Sequence, residues 1–124
     1  MNTLIQLMST GAPSALCLSA ANSAPLSYDK LRQLSQYVQT QLNGVGIGRN
    51  DRVALVLPNG AEMAAAFITV ASSCTSAPLN PAYRADEFEF YLSDLHAKAL
   101  VVEHGSSSPA IEVARKMGVA IIEL

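Results

Sequence analysis

Several stretches carry residue types that could do chemistry. GVGIG at 44–48 has glycines spaced as in loops that let a backbone approach a dinucleotide. Such a loop works only after a strand and before a helix, where phosphates meet the helix N-terminus. HGSSSP at 104–109 could hold an anion on its N–H groups, but with one Gly and no Lys it is not a nucleotide phosphate loop. His96 and His104 have no carboxylate or Cys at ligand spacing, and no Ser sits in a nucleophile elbow. They read as surface or helix-end residues. Asp86, Glu87 and Glu89 are the nearest thing to paired carboxylates. Grouped in the first turn of a helix, they suit the macrodipole better than acid–base catalysis. Cys17 and Cys74 are far apart, lack CxxC spacing and read as buried free thiols in a reducing cytosol. Arg52 reads as a loop ion-pair residue. The motifs yield no catalytic residue and no metal site.

The elements that must position these residues alternate along the chain. MNTLIQLMSTGAPSALCLSAA imitates a secretion signal, but it lacks a basic start and is broken by Gly11 and Pro13. A short helix followed by a strand at Pro13–Ser19 is the better reading. Ser27 caps a helix whose stripe is Leu31, Leu34, Val38, Leu42 and Val45, and Gly44, Gly46 and Gly48 stop it. GVGIG therefore follows a helix and precedes a strand, the wrong order for a cofactor loop. The uninterrupted run Val53–Leu57 predicts a strand covered on both faces. Pro58 ends it, and Asn59 is the expected cap of a helix at 60–73 that is apolar nearly all round and hence buried. Ser76–Leu79 reads as a strand, then Ala85–Leu95 as a helix with Phe88, Tyr91, Leu92 and Leu95 on its stripe. Ala99–Glu103 is a strand, Pro109–Met117 a helix with Pro in its first turn, and Val119–Leu124 a strand. This order predicts an α/β fold: a mostly parallel sheet with helices on both faces. The final apolar IIEL suggests a piece of a larger domain.

Composition agrees with one folded unit. The chain has 124 residues, half of them hydrophobic and only 15% charged. A formal net charge of −2 gives no electrostatic case for nucleic acid or for a membrane surface. No stretch has the roughly 20 apolar residues of a spanning helix. A cytoplasmic protein is expected.

Three segments together resemble the N-terminal part of the AMP-forming acyl-CoA synthetases, within the adenylate-forming superfamily. They are LSYDKL (26–31), GVGIGRNDRVALVLPNGAE (44–62) and APLNPAYRADEFEFYLSDLHAKALVV (77–102). The wording of the last resembles the oxalate–CoA ligase branch most. The sequence departs from the family pattern at Asn50, where a Gly is usual, and at Cys74-Thr75, where a small pair is common; neither position is catalytic in the family.

The resemblance implies a two-step reaction in the parent enzyme. A small carboxylic acid attacks the α-phosphorus of ATP with Mg²⁺ present, and coenzyme A then displaces AMP. It also implies that residues 1–124 are the N-terminal part of the large ligase domain, with the phosphate loop, adenine pocket and C-terminal lysine beyond them. The expected partner is thus the remainder of the parent enzyme. The isolated chain is expected to be inactive, to hold no cofactor and to self-associate. By resemblance, Tyr83, Arg84 and Lys98 are the candidate contacts for the CoA nucleotide; their ordinary readings are packing for Tyr83 and solvated charge for the other two. Two other readings compete: a non-enzymatic, self-associating α/β module, and a doubly wound nucleotide- or flavin-binding domain, which the missing Gly-rich loop after the first strand weighs against.

Overall fold

The computed structural model describes residues 3–19 and 25–124. Residues 1–2, 20 and 21 of the signal-like N-terminal stretch lie outside them. The expected short helix is α1 (Leu4–Met8), closed by a capping box between Thr3 and Gln6. The strand expected at Pro13–Ser19 shortens to β1 (Leu16–Leu18) and does not join the main sheet. It pairs antiparallel with the two-residue β2 (Leu26–Ser27), a strand too short to show periodicity. Then follow α2 (Tyr28–Gly44), β3 (Arg52–Val56), α3 (Ala61–Ala71), β4 (Thr75–Pro78), α4 (Ala85–Leu95), β5 (Ala99–Val102), α5 (Pro109–Met117) and β6 (Ala120–Glu123).

The main sheet has the order β4-β3-β5-β6, and every pairing is parallel. Alternation along β3 decides which helices lie where. Val53 and Leu55 join one core with Val38 and Leu42 of α2 and Val70 of α3. Ala54 and Val56 face the other core, with Phe88 and Leu92 of α4 and Val113 of α5. Both faces of the sheet are thus covered, which is why β3 and β5 are apolar at every interior position. β4 is an edge strand and carries Pro78, whose missing N–H is tolerated there.

Local chemistry sets the helix ends. The Ser27 hydroxyl accepts from the Lys30 N–H at 3.2 Å, as expected of a cap. At the other end Gly46 (φ 82°) turns the chain, and the Ile47 N–H bonds back to the Leu42 carbonyl at 2.9 Å. GVGIG is therefore a helix stop. The helix ends at Gly44, so Val45 drops out of the stripe and is 51% exposed. Asn59 does not cap α3. Gly60 takes that position at φ 150°, a conformation that disfavours a side chain, and no side chain caps the helix. Nor is α3 enclosed all round: Ala65, Ala66, Thr69 and Val70 are buried, whereas Phe67 is 43% exposed. Cys74 is buried as expected, but Cys17 is only half-buried.

Burial, and secondarily the charge of Asp51, pushes the Cys74 thiol up to about 11. The unfolded chain loses this proton near the ordinary thiol value of 9.0, so stability from the neutral thiol is complete below that pH and drains away as pH rises towards 11. At pH 8 a thiol-alkylating reagent should label Cys17 and spare Cys74 in the folded chain. Equal labelling of both, read by mass spectrometry, would show that Cys74 is not sealed.

Candidate functional site

In a parallel sheet, ligands gather at the carboxyl ends of the strands where the strand order reverses. Here β3 leads leftwards to β4, and the chain then returns to place β5 on the other side of β3. The switch point lies between β3 and β5. A cavity of about 520 Å³ opens there. Leu18 and Leu26 of the hairpin, Leu34 of α2, Leu57 just past β3 and Ala65 of α3 give it apolar walls. Glu62 in the first turn of α3, Glu103 just past β5, and Leu124 complete the lining. Among the described residues neither carboxylate has an ion-pair partner. Sequence reasoning missed this cavity, because it forms from segments distant in the chain and no motif marks it. The available signal was the strand order.

The expected CoA-contact residues flank α4. Tyr83 stacks on Tyr91 with ring centroids 5.0 Å apart and meets Phe88 edge-on at 5.8 Å. A hydrogen bond with Tyr91, then burial, then the charges of Tyr91 and Glu87 hold its phenol above the ordinary range. Arg84 is the N-cap of α4: its N–H donates to Glu87 Oε1 at 3.1 Å, and its guanidinium lies 3.4 Å from Asp86 and 3.5 Å from Glu87. Lys98 is exposed beyond the other end of the helix, its backbone N–H bonded to the Arg52 carbonyl at 2.8 Å. Eleven helical residues separate the ends by about 16 Å, so the three residues form no single cluster.

The remaining candidates have structural employment. In HGSSSP, Ser106 Oγ accepts from the Ser108 N–H and Ser108 Oγ from the Ala110 N–H, both at 3.2 Å, so these donors already serve the start of α5. His96 closes α4 in the left-handed conformation (φ 52°). His104 Nδ1 lies 3.0 Å from Glu123 Oε2 on the surface, a carboxylate partner that sequence spacing could not show. Asp86 and Glu87 sit in the first turn of α4, and Glu89 lies one turn further on. Arg52 opens β3 and donates to the Leu95 carbonyl at 3.2 Å; it ties down a helix end and forms no ion pair among the described residues. No group of three or more His, Cys, Asp or Glu among the described residues could hold a metal. No helix among them is long and apolar enough to cross a membrane.

A family model described as AMP-binding enzyme matches residues 9–123. The chain belongs to that family. An oxalate–CoA ligase of Arabidopsis thaliana is 34% identical over 122 residues, which are 97% of this chain and 24% of the relative. An oxalate–CoA ligase of Saccharomyces cerevisiae is 41% identical over 81 residues, 61% of this chain and 15% of the relative. Among solved structures, apo MatB from Rhodopseudomonas palustris superposes with a TM-score of 0.81 at 22% identity, over 98% of this chain and 25% of that one. The N-terminal domain of FACL13 from Mycobacterium tuberculosis gives 0.77 at 25% identity, over 97% and 32%. The AMP-binding fold expected from the motifs is therefore present, and the chain spans a quarter or less of the length of these two curated relatives.

Proposed function

We propose that residues 1–124 form the N-terminal part of the large domain of an ATP-dependent, AMP-forming acid–CoA ligase, and serve there as scaffold. The supporting observation is the 34% identity to an oxalate–CoA ligase across nearly the whole chain, within a family match over 9–123. The parent enzyme on this reading is cytoplasmic, uses ATP, Mg²⁺ and coenzyme A, and takes a small carboxylic acid. The described residues do not fit the first two groups: they include no Lys-bearing phosphate loop and no metal cluster. The share left to this chain is to build the parallel sheet on which the rest of the ligase folds. For CoA, the two ends of α4 are separate contacts, Tyr83-Arg84 at one and Lys98 at the other.

A transplant tests the reading. This chain replaces the matching 122 residues of the Arabidopsis ligase, and thioester formation from oxalate, ATP and coenzyme A is followed. The chimera should be active where a ligase lacking that quarter is not. A soluble chimera without activity, beside an active parent, would sink the assignment.

Alone, the chain should associate with itself. Its β6 edge is unpaired among the described residues and lacks the proline that blunts the β4 edge. Phe67 and the switch-point cavity expose further apolar surface. Sedimentation at micromolar concentration should show a dimer or larger species. A clean monomer that binds no hydrophobic dye would refute this.

A further inference from the structure

The cavity at the switch point has a physical peculiarity. Its walls continue the core that lies between the sheet and α2/α3, since Leu34, Leu57, Ala66 and Leu124 belong to both. It is thus a core left open on one side, with Glu62 and Glu103 on its lining and no cation beside them among the described residues. Apolar walls with uncompensated carboxylates suit an apolar plug that carries a basic residue, because burying the carboxylates without a cation is costly. An ATP phosphate is disfavoured by the same charges.

We infer that the cavity lined by Leu34, Leu57, Ala65, Glu62 and Glu103 is the docking socket for the remainder of the ligase, filled by an apolar segment whose Lys or Arg is held between Glu62 and Glu103. The inference rests on the proposed function and names the contact through which the scaffold joins its partner. Two observations favour this occupant over a small ligand. The chain accounts for only 25–32% of the structures whose fold it shares, so such a protein has further chain to pack against it. And the walls are those of a core left open on one side, which apolar protein surface closes.

The transplant described above separates this inference from the functional reading. In the active chimera, Ala65→Trp fills the socket, and the pair Glu62→Lys with Glu103→Lys reverses its charge. Each change should cut thioester formation at least tenfold and lower the melting temperature of the chimera. On the 124-residue chain each change should lower the melting temperature by less than in the chimera, the charge reversal costing only the helix-dipole share of Glu62, and Ala65→Trp should reduce binding of a hydrophobic dye, because the socket is empty there. Glu62→Gln with Glu103→Gln, which removes charge without reversing it, should lie in between. If the unmodified chimera is inactive, the functional reading fails. If it is active and both sets of variants leave its activity and melting temperature unchanged, the ligase reading stands and the socket is overturned. Equal loss of melting temperature in the isolated chain and the chimera would also overturn it, since that marks a purely internal packing role.

Discussion

Val53→Asp should leave no folded protein. Val53 has no solvent exposure and lies in β3, which is hydrogen-bonded to β4 on one side and β5 on the other. Its side chain packs in the core that α2 and α3 cover. A carboxylate there meets no cation and no spare donor, because β3 donors and acceptors are spent on its two neighbours. An unpaired buried charge costs several kcal/mol. A domain of this size has about 5–15 kcal/mol in total, so most of its stability would go. Protonating the Asp to escape the charge still leaves a buried polar group without partners. The expected result is an insoluble product or one lacking a cooperative urea transition, whereas Val53→Ala should fold with a loss of about 1–3 kcal/mol. A Val53→Asp protein with a wild-type transition would mean that β3 is not interior.

The same residue shows why so much of the fold was legible. An unbroken apolar run of five, a one-sided helix before it and a cap at Ser27 are local signals, and each agrees with the global sheet. Ala85–Leu95 and Pro109–Met117 came out with their expected limits because Arg84 with Glu87, Ser108 and Gly118 mark the ends chemically. What failed depended on contacts between distant segments. The β1–β2 hairpin is a two-residue pairing with no period to read. Asn59 has the residue type of a cap, but the backbone turns one position later at Gly60. The Arg52 contact with Leu95 and the His104 contact with Glu123 join residues 43 and 19 positions apart. The candidate site was hidden for the same reason: Leu18, Leu57, Glu103 and Leu124 meet only once the strand order is known. Family likeness pointed to α4 and its flanks, whereas the geometry points to the other face of the sheet.

The isolated chain should release no pyrophosphate from ATP, with Mg²⁺ and any of a panel of carboxylic acids that includes oxalate. Adenylation needs preorganised positive charge around the phosphates, and each such group is worth about 10²–10³ in rate. In a parallel sheet the natural phosphate sites are the helix N-termini at the carboxyl edge. Here each of them is already taken. The first turn of α3 holds Glu62, that of α4 holds Asp86 and Glu87, and that of α5 holds Glu112 beside the Ser108 cap. These side chains satisfy the helix dipoles and repel a polyphosphate. The cations are in the wrong place. Lys98 and Lys116 precede β5 and β6, at the amino edge of the sheet, and Arg84 at the carboxyl edge is engaged with Asp86 and Glu87. The one cavity at the switch point among the described residues is apolar with two carboxylates. The described residues therefore offer a phosphate neither the positive charge nor the free donors, and adding acid substrate does not supply them. A coupled pyrophosphate assay on the purified chain should stay at background, more than about a thousandfold below the active chimera, as expected when two or more such groups are missing. Release that scales with chain concentration and needs a carboxylic acid would show a phosphate site within these 124 residues. The scaffold reading would then fall.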